Sequence, residues 1–415
     1  MKRPTAASLK KVTPENVARL GAERLATILV EVAAARPELK RRLRMELAAE
    51  QGAEHLLVEI DRRMASLETS RSKVSWRQRH AFLRDLDALR GLIADRLAEL
   101  DPAAANNRML AFLGLAPRVR SRLKDRDGVL AALFARAAGD LAPLLRREAG
   151  EPVAASLAER IAADPAAWAE WLPAALDGAP PAFAEAVLRQ AVAQGSSRPG
   201  MLRAIRALAD AAGDLDAYCG TYSAAELKVQ PVAAGLARRL LAQGRADAAA
   251  EVLRAAPTPK TRGASDPDPE WESAWIEVLE ASGDTAGAQA ARWTAFERTL
   301  SADRLRAFTS RLAGFDDVEA QEKAFDLARQ DPDFLRGLRL LMEWPALPEA
   351  ARMIEARADE AGIDAELAEL WGGRLRSRFP AAAHRLLRRA AAAAFRRRDF
   401  ATCDRLTAEA DSIPI

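Results

Sequence analysis

The sequence is poor in most of the residues that carry chemistry. Its 415 residues include two cysteines, three histidines and two tyrosines, and aromatics make up 5%. Cys219 and Cys403 are too few and too far apart for a disulfide framework or a thiolate metal cage. A reducing compartment, the cytoplasm by default, is the expected setting. His55, His80 and His384 form neither His-x-x-x-His nor His-Glu-x-x-His. Zinc needs three or four convergent ligands, so no metal and no cofactor is expected. The start, Met1 to Lys11, is basic but lacks the apolar stretch of a signal peptide. No run approaches the roughly 18 apolar residues of a membrane span, so no membrane insertion is expected. The phosphate loop G-x-x-x-x-G-K-[ST], the dinucleotide motif G-x-G-x-x-G and the nucleophile elbow G-x-S-x-G are also missing. The chain is therefore not expected to be an enzyme.

What is present is an alphabet for helices. There are 95 alanines, and 53 arginines against 9 lysines. Ala, Leu, Arg and Glu are strong helix formers, and β-branched and aromatic strand formers are few. The expected class is all-α. The formal net charge is +3, but its distribution is uneven. Residues 1–128 carry 26 basic and 17 acidic side chains, residues 129–372 carry 26 and 38, and residues 373–415 carry 10 and 4. Basic ends flank an acidic middle. They either contact an acidic partner or screen the chain's own acids.

Residues 1–12 read as a flexible basic tail. Thr13-Pro14-Glu15 is a helix start. A helix from Ala22 to Arg36 is expected to bury Leu25, Ile28, Leu29 and Val32. After Pro37, Leu39, Leu43 and Leu47 follow one face, and Gly52 opens a helix through Leu56, Leu57 and Ile60. Ser75 and Gln78 make an S-x-x-Q capping box. Phe82, Leu86, Leu89, Ile93, Leu97 and Leu100 then continue one helix, roughly 38 Å long. A further helix is expected from Val129 to Leu145.

Short Pro/Gly breaks separate the later helices, as between antiparallel neighbours. The one longer break runs from Pro257 to Pro269. Similar spacings of Leu and Ala surround Gly244 and Gly283, and a helix–turn–helix shape recurs around Arg398-Asp399. This is similar to the hairpin of tetratricopeptide repeats. The expected architecture is an N-terminal helical bundle over 13–148, followed by an irregular α-solenoid. The solenoid's hairpin arrays occupy 149–256 and 271–415, joined by a loop at 257–270.

With these elements placed, the chain resembles a family of uncharacterised bacterial all-helical proteins over nearly its full length. The stretches that carry the resemblance are Asn16-Val-Ala-Arg-Leu-Gly-Ala-Glu-Arg-Leu-Ala26, Leu39-Lys-Arg-Arg-Leu-Arg44, Ile60-Asp-Arg-Arg63, Trp76-Arg77 and Leu86-Asp-Ala-Leu89. Asp125-Arg-Asp-Gly128, Phe315-Asp-Asp-Val-Glu-Ala320 and Met342-Glu-Trp-Pro-Ala-Leu347 complete them. The resemblance implies a helical fold and no activity. The stretch from Trp76 to Gly128 also resembles, more loosely, the helical region that accompanies SWIM-type zinc fingers. The Cys-x-Cys and Cys-x-His ligands of such a finger are absent here.

Asp125-Arg-Asp-Gly128 fails as a calcium loop, because Leu123 and Phe134 would stand first and twelfth where oxygen ligands belong. A helix cap at Asp127 is expected instead. Ser75-Trp-Arg-Gln-Arg-His80 sets an aromatic among cations, as nucleic-acid binders do, although Trp76 is expected to staple its helix into the core. Trp168/Trp171 and Trp271/Trp275 are expected as core fillers. The strongest cationic run is at the C-terminus: nine arginines and no acid from Gly372 to Arg398. Arg374, Arg378, Arg385, Arg388, Arg389, Arg396, Arg397 and Arg398 are the candidate contacts for a protein partner or phosphates. The expected function is a non-catalytic scaffold or adaptor that binds a protein on a helical-repeat surface. The alternative is a nucleic-acid-binding helical-repeat protein using the basic ends, and third an enzyme with an unrecognised site.

Overall fold

The computed structural model describes residues 12–195, 198–257, 266–314, 316–357 and 363–414. The basic tail and most of the 257–270 loop lie outside the described residues. All regular structure among the described residues is helical, with no strand. The chain divides into two compact units, Met1–Ser223 and Ala224–Ile415.

The first unit contains α1 (Pro14–Ala18), α2 (Ala22–Ala34), α3 (Pro37–Gln51), α4 (Ala53–Thr69) and α5 (Trp76–Gly91). A π turn (Leu92–Leu97) carries α5 into α6 (Ala98–Leu100). Next come α7 (Pro102–Gly114), α8 (Ala116–Arg122), α9 (Val129–Arg147), α10 (Glu151–Ala163), α11 (Pro165–Ala175), α12 (Pro181–Ala193), α13 (Pro199–Ala212) and α14 (Leu215–Cys219). The second unit contains α15 (Gln230–Ala242), α16 (Ala246–Arg254), α17 (Pro269–Ala281), α18 (Thr285–Thr299), α19 (Ala302–Thr309) and α20 (Asp316–Gln330). It ends with α21 (Phe334–Glu343), α22 (Leu347–Arg357), α23 (Ala365–Leu375), α24 (Pro380–Arg396) and α25 (Phe400–Asp411).

Proline and aspartate set many of the helix starts. Proline fills the first turn of α1, α3, α7, α8 and α10–α13, where a missing N–H costs nothing. The carboxylates of Asp101, Asp164, Asp214, Asp284, Asp333 and Asp399 accept the first free amides of the helices that follow them. Glycine sets several stops. At Gly213, Gly244 and Gly283 the chain enters the left-handed region, and the amide that follows each glycine returns to a carbonyl five residues back.

Within each unit a helix packs on its neighbour and often on the next but one. In the first unit α7, α9, α11 and α13 form one such row, and α10 and α12 pack beside it. Small residues permit the approach: Ala105, Ala137, Ala154 and Ala204 are fully buried. Phe112, Phe134, Trp168 and Trp171 fill the layer as a chain of rings 5.5–6.1 Å apart. In the second unit the echoed pairs Ala249/Ala288 and Ala256/Ala295 are buried as well.

Arginine outnumbers lysine for a reason visible at helix ends. The guanidiniums of Arg198, Arg306, Arg336, Arg357 and Arg385 donate to the terminal carbonyls of other helices, at Ala162, Glu343, Arg298, Arg329 and Glu355. Each supplies a donor, and a positive charge, to the negative end of a helix dipole. A forked guanidinium can bridge carbonyls, as Arg357 does between Arg329 and Asp331.

Three expectations are corrected. The stripe of α2 is not buried: Ile28, Leu29, Val30 and Val32 are exposed, and only Ala33 is covered. α2 meets little beyond the short α1 and α3, so no second layer closes over it. In α3 the buried residues are Met45, Ala48 and Ala49, while Leu47 is exposed. Trp76 is 79% exposed rather than stapled inward. The long helix from residue 76 to 100 is continuous, as expected. Through its π turn the buried steps continue from Leu89 to Ile93 and Leu97 at intervals of four.

Candidate anion-binding cleft

An open cleft of about 520 Å³ lies between the start of α5 and the chain leaving α8. Six of its ten lining residues are cations: Lys73, Arg79, Arg120, Arg122, Lys124 and Arg126. None is acidic. Val74, Leu123, Ser121 and the exposed ring of Trp76 complete the wall.

Local bonding explains how residues nearly 50 apart in sequence meet here. The segment 70–75 carries serines at 70, 72 and 75, which compete with a helix through local bonds to the backbone, and it runs as irregular chain to Ser75. The Val74 amide donates to the Arg122 carbonyl at 3.0 Å. Arg122 Nε donates to the Ser72 carbonyl at 2.9 Å, and Lys73 Nζ to the Ser121 carbonyl at 2.5 Å. Leu123 is extended and buried, so its neighbours Arg122 and Lys124 point to the opposite side of the chain.

The cleft's rim is held by Arg79, which clamps Asp127 and also reaches Asp125. Asp125 accepts the amides of Leu130 and Ala131 at 3.0 and 2.9 Å, capping α9. Asp125 thus shares the capping with the expected Asp127, whose carboxyl bonds the Val129 backbone as well as Arg79. The Arg79 hydrogen bond holds the Asp127 carboxyl down at about 2. On the far side of residues 72–74, a second cavity of about 350 Å³ includes Arg41, Arg63 and Asp85. Asp85 accepts from both arginines. Burial, then the positive charge of Arg118, holds the Arg122 guanidinium below its usual range. Burial lowers Arg63 too, against the pull of Asp85, with Arg41 and Arg122 adding repulsion.

Some cleft cations are spoken for. Arg120 lies 3.6 Å from Asp164 and over the Trp171 ring. Arg118, Lys124 and Arg126 are exposed and have no acidic partner among the described residues. The arrangement is a surplus of unneutralised positive charge beside a largely exposed indole. Chemically it can bind anions and stack a planar group.

A model of DUF6880, a family of unknown function, matches residues 7–167 and 167–399. The chain belongs to that family. No curated protein and no solved structure matches it. In this member of the family, no three His, Cys, Asp or Glu side chains among the described residues come together as a metal site requires. No described helix is long and apolar enough to cross a membrane. Cys219 and Cys403 are half-buried.

The C-terminal arginines are distributed rather than gathered. Arg374 is exposed near the end of α23, and Arg378 lies beyond that end. On α24, Arg385 and Arg389 are half-buried, and Arg385 is tied to the Glu355 carbonyl at 2.8 Å. Arg388 lies 3.7 Å from Asp411. Arg396, Arg397 and Arg398 are exposed at the turn into α25.

The cleft's cations at 120, 122, 124 and 126, with Arg118 beside them, were missed by the sequence reading. Their signal is a basic residue at every second position between Pro117 and Gly128. Of the expected aromatic–cation cluster, Trp76 and Arg79 do reach the site, and Arg77 lies over the Trp76 ring at 5.4 Å.

Proposed function

We propose that this chain is a non-catalytic binding protein that holds an acidic partner in the cationic cleft of its first unit. One observation carries the reading: the cleft wall has six cations and no acid, and Lys124 and Arg126 have no acidic partner among the described residues. Elsewhere arginines pair across helices, as Arg90 does with Asp140, Arg108 with Asp61 and Arg238 with Glu277. The test is retention on a polyanion column under a salt gradient. Lys124→Glu with Arg126→Glu should elute at clearly lower salt than the parent. Unchanged elution with intact helicity would remove the cleft from the functional account.

A second reading, a scaffold acting through protein contacts, is favoured by the uncovered face of α2. Leu25, Ile28, Leu29 and Val32 follow a heptad seam, and Arg24 and Glu31 flank it at equivalent positions. Two antiparallel copies would set Arg24 of one beside Glu31 of the other. Light scattering of the full chain tests this: self-association lost on Ile28→Glu with Val32→Glu supports it, and a monomeric parent refutes it. Tetratricopeptide-like stacking within each unit is part of the same proposal, supported by next-but-one packing. A cytoplasmic setting is likewise proposed, on the low cysteine content. The looser resemblance over residues 76–128 supports no added chemistry, because the finger's ligands are absent from the sequence.

A further inference from the structure

We infer that the cleft takes the backbone of a single-stranded nucleic acid, with one base stacked on Trp76. The inference rests on the acidic-partner reading above and names the partner's class. Three features of the wall select it. First, the cations are several and uniform in sign, and the mouth is open, so a chain of phosphates can enter and leave. A volume of about 520 Å³ lies in the range that holds a small-molecule-sized group. Second, Trp76 exposes 79% of its surface at the wall of this charged site. An indole left in water beside cations is the platform on which unpaired bases stack. Third, besides Trp76 the only apolar side chains in the wall are Val74 and Leu123, and Leu123 is already buried. Tight protein partners usually insert aromatic or aliphatic anchors into pockets lined by such side chains, and here cations outnumber them two to one.

The wall also limits what can be read. Apart from the cations, its polar side chains reduce to Ser121. No Asn, Gln, Asp or Glu lines it to read adenine or cytosine edges. Phosphate contacts and stacking accept any base, so the expected binding is broad in sequence, with guanine the one base the cations could favour. The start of α5 strengthens the site without defining it, since its first amides add partial positive charge beside Trp76.

The experiment uses the full chain with fluorescently labelled oligo(dT) and oligo(rU), each about 15 nucleotides, a typical single-strand site size. Anisotropy is followed across a salt series, with polyglutamate as competitor. Both oligonucleotides should bind, with a log–log salt slope of about −0.7 per phosphate neutralised. Lys124→Glu with Arg126→Glu should make the slope less steep by about 1.4, two phosphates' worth. Trp76→Ala should weaken binding about five- to hundredfold, the usual loss of one stacked base, and leave the slope unchanged. These residues are exposed, and circular dichroism confirms that the variants stay folded. If polyglutamate binds as tightly as the oligonucleotides and Trp76→Ala has no effect, the nucleic-acid inference falls while the acidic-partner reading stands. If neither polyanion binds at low salt, both fall.

Discussion

Replacing Arg398 by glycine should stabilise the second unit, although it deletes one of the C-terminal arginines. At the end of α24, the Arg398 amide donates to the Phe395 carbonyl and the Asp399 amide to the Ala394 carbonyl. The same pair of bonds closes the helices at Gly213, Gly244 and Gly283. At those three the turn residue is glycine, with φ between 71° and 78°. At the fourth it is Arg398, with φ 63°. A side chain in the left-handed region costs about 1–2 kcal/mol. Glycine relieves that cost but gives the unfolded chain more freedom, worth about 0.4–1 kcal/mol. The net gain expected is about 0.5–1 kcal/mol. For a unit of this size that raises the melting temperature by about 1–4 °C. Calorimetry of the full chain reads the shift, with Arg398→Ala as control. Alanine keeps the strain and removes the charge, so it should change little. If alanine stabilises as much as glycine, crowding with Arg396 and Arg397 is the cause, and the backbone argument is wrong. A glycine variant that melts lower would refute it outright.

Asp85→Ala should be costly, because its carboxylate is 7% exposed and accepts from Arg41 and Arg63. Removing it strands Arg63, whose Nε already has no partner, and urea unfolding should show a loss of about 3–5 kcal/mol; a loss below about 1 kcal/mol would refute the hub. Asp127 should titrate with a midpoint at about 2, well below the usual 3.8, chiefly through its hydrogen bond to Arg79. A depressed carboxyl contributes stability above its unfolded value, so this contribution is present above about pH 4 and is lost as the pH falls through about 2. Carboxyl NMR checks the midpoint, and Arg79→Gln should move it upward. Gly337→Ala should destabilise despite alanine's helix propensity, worth about 1 kcal/mol. The new methyl would land on the Ala328 carbonyl oxygen of α20 and within 3.0 Å of Met353. Overpacking of this kind typically costs about 1–3 kcal/mol, so denaturant midpoints should fall, and a stabilised variant would show that the helices part freely.

The sequence by itself determined the helical class, most helix starts and several stops. Those signals are local. A proline at Pro37, Pro102 or Pro165 and an aspartate at Asp101 or Asp164 act within one turn of the chain. The glycines at Gly244 and Gly283 act the same way, through a backbone angle that other residues resist. The helix–turn–helix around Arg398-Asp399 was legible too, since Asp399 caps the helix that follows it. Burial was legible where many helices crowd together, as at Trp168 and Trp171. It failed at α2, where the stripe of Ile28, Leu29 and Val32 is a correct amphipathic pattern with no layer above it. Periodicity states which face could be buried, and only tertiary packing supplies the cover. The cleft was the least legible feature. Trp76 and Arg79 were noticed as a local cluster, but Lys124 and Arg126 lie some 45–50 residues further on. What joins them is the bond from the Val74 amide to the Arg122 carbonyl and the Arg79 clamp on Asp127. A long-range charge surplus arises from which cations are left unpaired once the helices have packed. The C-terminal run illustrates the converse: nine arginines clustered between Gly372 and Arg398 are spread by the fold over helix ends, a carbonyl cap and an ion pair with Asp411.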